Sequence, residues 1–269
     1  MAASLEIADV TVRFGGLVAL DSVSAAVEPK QVVGVIGPNG AGKTTLFNVV
    51  CGFVRPVEGT LRWQGRLLRR HRPHQLASLG IARTLQGLGL FPHLSVLDNV
   101  VIGADRHARV GVFSGLLALP TSDVDEHRLR DRAQAVLADL GIADTSAWLP
   151  SQLPYGVQKR VALARALVAE PSLLLLDEPA SGLSSDEIRE LGDVIRGLTG
   201  RMSVLLVEHH MDLVMDVCDH IVVLDFGRVV AAGTPDEVRG DARVLEAYLG
   251  EEIDESTQAV GEEAGDAPS

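Results

Sequence analysis

The chain has 269 residues, 46% of them hydrophobic, enough for one large domain or two small ones with a real core. Its net charge of −12 argues against a nucleic-acid grip, which shows a basic patch or stripe. No apolar run approaches the ~18 residues of a membrane span, and the first ten residues lack a basic region followed by an apolar core. Cys51 and Cys218 sit in apolar segments and fit core thiols in a reducing compartment, so the expectation is a cytoplasmic protein.

Leu5 to Val12 alternates partly and reads as a strand. Val23 to Glu28 reads as another, with Pro29-Lys30 turning into a third. Between the first two, Phe14 sits in a polar, glycine-rich turn. It either stacks on a flat base or plugs the sheet edge. Val32 to Ile36 reads as a short buried strand. Gly37-Pro38-Asn39-Gly40-Ala41-Gly42-Lys43-Thr44-Thr45 follows and fits G-x-x-x-x-G-K-[ST] at every fixed position. Thr45 to Cys51 can continue as a helix. This strand–loop–helix context makes the stretch a phosphate site. The glycines let the backbone curl into a nest of inward N–H groups. The helix start adds unpaired donors and a partial positive charge. Lys43 can reach the β- and γ-phosphates, and the Thr44 hydroxyl can ligate Mg²⁺.

Gly59 to Leu67 looks like a hairpin and His74 to Gly80 like a short helix. Ile81 to Leu85 reads as a strand with Gln86 at its end, where a side chain is either solvated or reaches a ligand or metal. Residues 94–141 change character. Leu94 to Gly103 and Asp123 to Leu140 have helical spacing, with Leu129, Val136, Leu137 and Leu140 on one face. The apolar stretch Val110 to Leu119 is either core or a face for an apolar partner, with core favoured. Leu153 to Arg160 precedes a helical run from Val161 to Ala169, and Pro154 suits the first turn of a helix.

Four consecutive leucines, Leu173 to Leu176, read as a strand buried on both faces. Asp177 and Glu178 fall at its carboxyl end, where ligands bind in parallel sheets. There Asp177 would hold Mg²⁺ through water and Glu178 would polarise the attacking water. A second buried strand, Ser203 to Val207, ends at Glu208-His209-His210, and His209 is a candidate donor to a γ-phosphate. Asp219 to Asp225 and Arg228 to Ala232 form a hairpin around Phe226-Gly227, and Thr234 starts a helix with a capping pattern. Residues 251–269 carry seven acids, no Lys or Arg and no aromatic residue, so a disordered acidic tail is expected.

The order of phosphate loop, Gln86, Leu153-to-Gln158 segment, Asp177-Glu178 and His209 resembles the ATP-binding cassette (ABC) ATPases over roughly residues 4–250. The resemblance implies an α/β phosphate-loop NTPase core with a mostly parallel sheet, an antiparallel β subdomain and an inserted helical subdomain at about 87–165. The ATPase domain would span 1–250, followed by the 251–269 tail. It implies Mg²⁺-dependent ATP hydrolysis and two cassettes pairing head to tail, this chain with itself or with a related one. It implies Phe14 as the adenine-stacking aromatic, Gln86 as the Mg²⁺-sensing glutamine, Glu178 as the catalytic glutamate and His209 as the switch histidine. Pro154, Tyr155 and Gly156 would form the signature that meets the partner's ATP.

Asn39 to Asn48, Ala82 to Gln86, Val207 to His209 and the ending Ala247 to Glu251 look like branched-chain amino acid importers, closest to the longer of their two ATPase subunits. The implied partners are membrane permease subunits and, through them, a substrate-binding protein. Such an ATPase sits at the inner face of the cell membrane. Urea, short amides or an exported lipid are the alternative cargoes. A soluble cassette in translation or DNA repair would carry two cassettes, a coiled-coil insertion or basic surfaces, which this chain lacks. The late Asp177-Glu178 and His209, without a guanine-recognition tetrad, argue against a GTPase or kinase. The chain departs from the family's Leu-Ser-Gly-Gly-Gln at Pro154, Tyr155 and Val157. Ser184 and His210 stand where Asp is often found.

Overall fold

The computed structural model describes residues 4–84, 87–104 and 120–248. The chain clusters into two compact units, one made of Met1–His71 with Val207–Ser269 and the other of Arg72–Leu206.

In the first unit, β1 (Leu5–Phe14) pairs antiparallel with β2 (Leu17–Val27) across a two-residue turn. β4 (Glu58–Trp63) pairs with the other edge of β1, and the short β5 (Arg66–Leu67) completes the sheet order β2-β1-β4-β5. A second set of strands carries the phosphate loop. β3 (Val32–Ile36) is buried at every position and runs parallel to β9 (His220–Asp225), which turns back into β10 (Arg228–Gly233). A strand buried on both faces needs the continuous apolar run that Val32 to Ile36 supplies. Helix α1 (Lys43–Cys51) leaves the loop after β3. Cys218 lies close to Gly34, where an added Cβ would come 2.8 Å from its Sγ. Burial, and then Asp219, push the Cys218 thiol up to about 12, so it stays a neutral core group.

The second unit has the strand order β8-β7-β6. Here β6 (Ile81–Arg83) runs parallel to β7 (Leu173–Asp177), which is followed in the sheet by β8 (Ser203–Val207). β7 and β8 are buried along their whole lengths. Each leucine of β7 contributes about 1.5–3 kcal/mol by leaving water. The short helix α2 (Leu76–Leu79) precedes β6. α3 (Val96–Gly103), α4 (Pro120–Asp139) and α5 (Tyr155–Leu167) pack on one another. Ala133, Leu137 and Leu140 are the buried residues of the α4 face, with Leu129 and Val136 half-buried beside them. Asn99, fully buried in α3, gives its amide to the carbonyls of Phe91, Leu94 and Ser95 and closes the turn before the helix. α6 (Ser185–Leu198) leads to β8, and α7 (Met211–Val217) and α8 (Pro235–Arg239) belong to the first unit.

Several boundaries differ from the sequence expectation. β2 begins at Leu17, six residues before Val23, and Phe14 is the last residue of β1, paired with Leu17. Three register shifts between β1 and β2 are the reason. Each bulge breaks the period of two, so the buried residues of β2, namely Leu20, Val23 and Val27, fall three and four apart. α1 begins at Lys43, two residues before Thr45, because Gly42 already serves as its N-cap. α5 begins at Tyr155 rather than Val161, with Pro154 as its N-cap. β6 ends at Arg83, although the Thr84 N–H still donates to the Leu175 carbonyl at 3.0 Å. Gln86, the apolar stretch Val110 to Leu119 and the acidic tail 251–269 lie outside the described residues. No described helix is long and apolar enough to cross a membrane.

Candidate nucleotide site

The phosphate loop closes tightly on itself. Lys43, 9% exposed, donates from Nζ to the carbonyls of Gly37 at 2.6 Å and Pro38 at 2.7 Å. The Ala41 N–H donates to the Pro38 carbonyl and the Gly227 N–H to the Ala41 carbonyl, tying the loop to the β9–β10 turn. Gly37 has φ +145, and a Cβ there would collide with the Leu224 carbonyl. Only glycine fits. Gly42, at φ +101, caps α1 without a side-chain acceptor, which leaves the first N–H groups of the helix to an anion. Asn39, Gly40 and Thr44 are exposed and Thr45 half-buried.

Two more predicted residues lie in this unit. Phe14 ends β1 with 51% of its surface exposed. A residue this exposed is not a buried plug over the sheet edge. The His209 N–H donates to the carboxylate of Glu208 at 2.9 Å, its Nδ1 is 3.5 Å from the same group, and its ring lies 4.4 Å from that of His210. Its side chain is 52% exposed, whereas Glu208 is fully buried.

The remaining predicted residues lie in the other unit. Asp177 is the last residue of β7 and 7% exposed. Glu178, half-buried, has φ +47, a left-handed conformation that a residue with a Cβ adopts only when its surroundings hold it there. Pro154 and Tyr155 are exposed and Gly156 is buried at the start of α5. Pro154 gives the helix no side-chain cap.

Among the described residues no group of three or more His, Cys, Asp or Glu is arranged to hold a metal ion.

Residues 20–181 match the family model described as ABC transporter. The chain belongs to the ABC transporter family. It is an ATPase cassette of that family, with an α/β phosphate-loop fold. Residues 228–254 also match the model described as branched-chain amino acid ATP-binding cassette transporter. This cassette is 40% identical over 241 residues to the high-affinity branched-chain amino acid transport ATP-binding protein LivG of Salmonella typhimurium, covering 89% of this chain and 94% of that protein. It is 39% identical over 249 residues to BraF of Pseudomonas aeruginosa, which carries the same description, covering 92% and 98%. Among solved structures, a nucleotide-free ATP-binding cassette from an ABC transporter superposes with a TM-score of 0.80 at 28% identity, covering 92% of this chain and 99% of that one. Another such cassette in its ADP conformation gives 0.81 at 28% identity, covering 93% and 100%.

Sequence reasoning passed over several side chains that brace segments next to the candidate residues of the second unit. Lys159 in α5 donates from Nζ to the Pro179 carbonyl at 2.8 Å and lies 3.4 Å from the Glu178 carbonyl. No residue-type pattern points to this contact, because its partners are backbone carbonyls. Arg165 donates to the carbonyls of Gly89 at 2.6 Å and Leu88 at 3.1 Å, holding the segment after Gln86, and burial lowers its pKa. Glu187 bonds back to the N–H and hydroxyl of Ser184. Ser184-Ser185-Asp186-Glu187 is the capping-box pattern recognised at Thr234 but not here.

Proposed function

We propose that this cassette is the ATP-hydrolysing subunit that powers a branched-chain amino acid importer. The observation that carries the cargo is the match of residues 228–254 to the branched-chain amino acid model. It is supported by relatives named for that transport whose own lengths are covered to 94–98%.

Each side chain has a proposed role. Phe14 stacks on the adenine. The N–H groups of Gly37 to Thr45 and the Lys43 ammonium neutralise the phosphates. Lys43 then exchanges its two neutral carbonyl partners for phosphate oxygens, whose negative charge makes those bonds the stronger. Thr44, Asp177 and Gln86 would hold Mg²⁺, which supplies neutralisation of the phosphate oxygens. Glu178 orients the attacking water and accepts its proton. His209, turned outward beside the buried Glu208, donates to the γ-phosphate. Pro154, Tyr155 and Gly156 face the ATP of a second cassette, head to tail. Permease subunits hold the pair at the inner face of the membrane and receive cargo from a substrate-binding protein.

The test is co-purification of the full chain with its membrane partners, identified by mass spectrometry, followed by ATP-driven uptake in proteoliposomes with the binding protein. Uptake of leucine, isoleucine and valine is expected. Uptake of urea or short amides in their place, or outward transport of lipid, would overturn the cargo assignment.

A further inference from the structure

Within the second unit, the start of α5 grips the loop after β7 at three successive places. The Lys159 ammonium sits on the carbonyls of Glu178 and Pro179, at 3.4 and 2.8 Å. The Tyr155 ring lies over Gly182, so that a Cβ there would come 3.0 Å from Cε1. The Glu187 carboxylate fills the notch left by the missing side chain of Gly156 and binds Ser184. Lys159 Nζ is also 5.5 Å from the centroid of the Tyr155 ring. The residue held at the near end of this loop is Glu178, whose φ of +47 needs an external restraint. The Ser181 N–H reaches the same Glu178 carbonyl at 3.2 Å, closing the turn.

We propose that Lys159 is a positioning residue for hydrolysis: its ammonium fixes the Glu178–Pro179 peptide and so aims the Glu178 carboxylate at the attacking water. This rests on the reading of Glu178 as the catalytic carboxylate. In this role Lys159 acts through the Glu178–Pro179 peptide rather than on ATP or water directly. The same helix start carries Pro154, Tyr155 and Gly156. Lys159 therefore links the segment that meets the partner's ATP to the carboxylate that acts on the cassette's own. Of the three grips on this loop, Lys159 is the one that reaches the Glu178 peptide itself.

Lys159→Met keeps most of the apolar stem and removes the charge. Under single-turnover conditions, with the full chain in excess over MgATP, its hydrolysis rate falls about tenfold through a misaimed carboxylate. Its ATP dissociation constant and melting temperature stay at the wild-type values. Lys159→Arg restores most of the rate, because a guanidinium can bridge both carbonyls. In the Glu178→Gln background, Lys159→Met causes no further loss, since no carboxylate remains to be aimed. A wild-type rate in Lys159→Met would overturn the proposal. So would a loss that Lys159→Arg does not recover, a parallel loss of ATP affinity and melting temperature, or the full tenfold loss on top of Glu178→Gln. Near-normal hydrolysis by Glu178→Gln alone would instead remove the reading of Glu178, whatever Lys159→Met does.

Discussion

Pro154 is one of the residues at which this sequence departs from the signature pattern Leu-Ser-Gly-Gly-Gln. It stands at the N-cap of α5, where a serine would offer a hydroxyl, and it offers neither a hydroxyl nor an N–H. On the proposed head-to-tail pairing, the N–H groups of Tyr155 and Gly156 and the helix dipole would remain as donors toward a partner's γ-phosphate. A hydrogen bond to a charged group contributes about 1.5–3 kcal/mol, so its loss weakens ATP-driven pairing by about one to two orders of magnitude. On that pairing the deficit would fall on the partner's ATP. A related cassette with an intact signature would still complete this chain's own site. Pro154→Ser in the Glu178→Gln background is expected to strengthen ATP-dependent dimerisation, read by sedimentation. Unchanged or weaker dimerisation would mean that Tyr155 and Gly156 already grip the phosphate well enough.

Helix α6 carries a pH-dependent restraint. Its capping box joins Ser184 to Glu187, and the backbone N–H and hydroxyl of Ser184 hold the Glu187 carboxyl below the usual range, with Arg160 adding to the effect. A depressed carboxylate pKa stabilises the fold above its unfolded value, and that stability is lost as pH falls through the lower folded value. Ser184→Ala should raise the Glu187 titration midpoint in an NMR titration, and the melting temperature gap between wild type and variant should close in acid. An unmoved midpoint would contradict this. The box at Thr234 and Glu237 was read from the sequence and the same pattern at Ser184 and Glu187 was passed over, although capping is written in four adjacent residues at both. β3, β7 and β8 were legible because full burial demands unbroken apolar runs. The early start of β2 was not, because its bulges replace alternation with a spacing that resembles a helix. Lys159 was not, because its partners are backbone carbonyls about twenty residues away, and backbone carbonyls carry no residue-type signal.

The chain enters the first unit, passes through the second and returns, so the chemistry is divided between them. The phosphate loop, Phe14 and His209 belong to one unit; Asp177, Glu178 and the start of α5 belong to the other. Binding and hydrolysis are therefore separable by mutation. On the roles proposed above, Lys43 would grip phosphate and Glu178 would act on water. The most direct measurement is MgATP binding and single-turnover hydrolysis by Glu178→Gln, side by side with wild type. The amide keeps the shape and removes the base, so ATP affinity should hold within about twofold while the rate falls by about two orders of magnitude or more. A near-normal rate, or an equal loss of affinity, would contradict the assignment of Glu178 as the carboxylate that activates water.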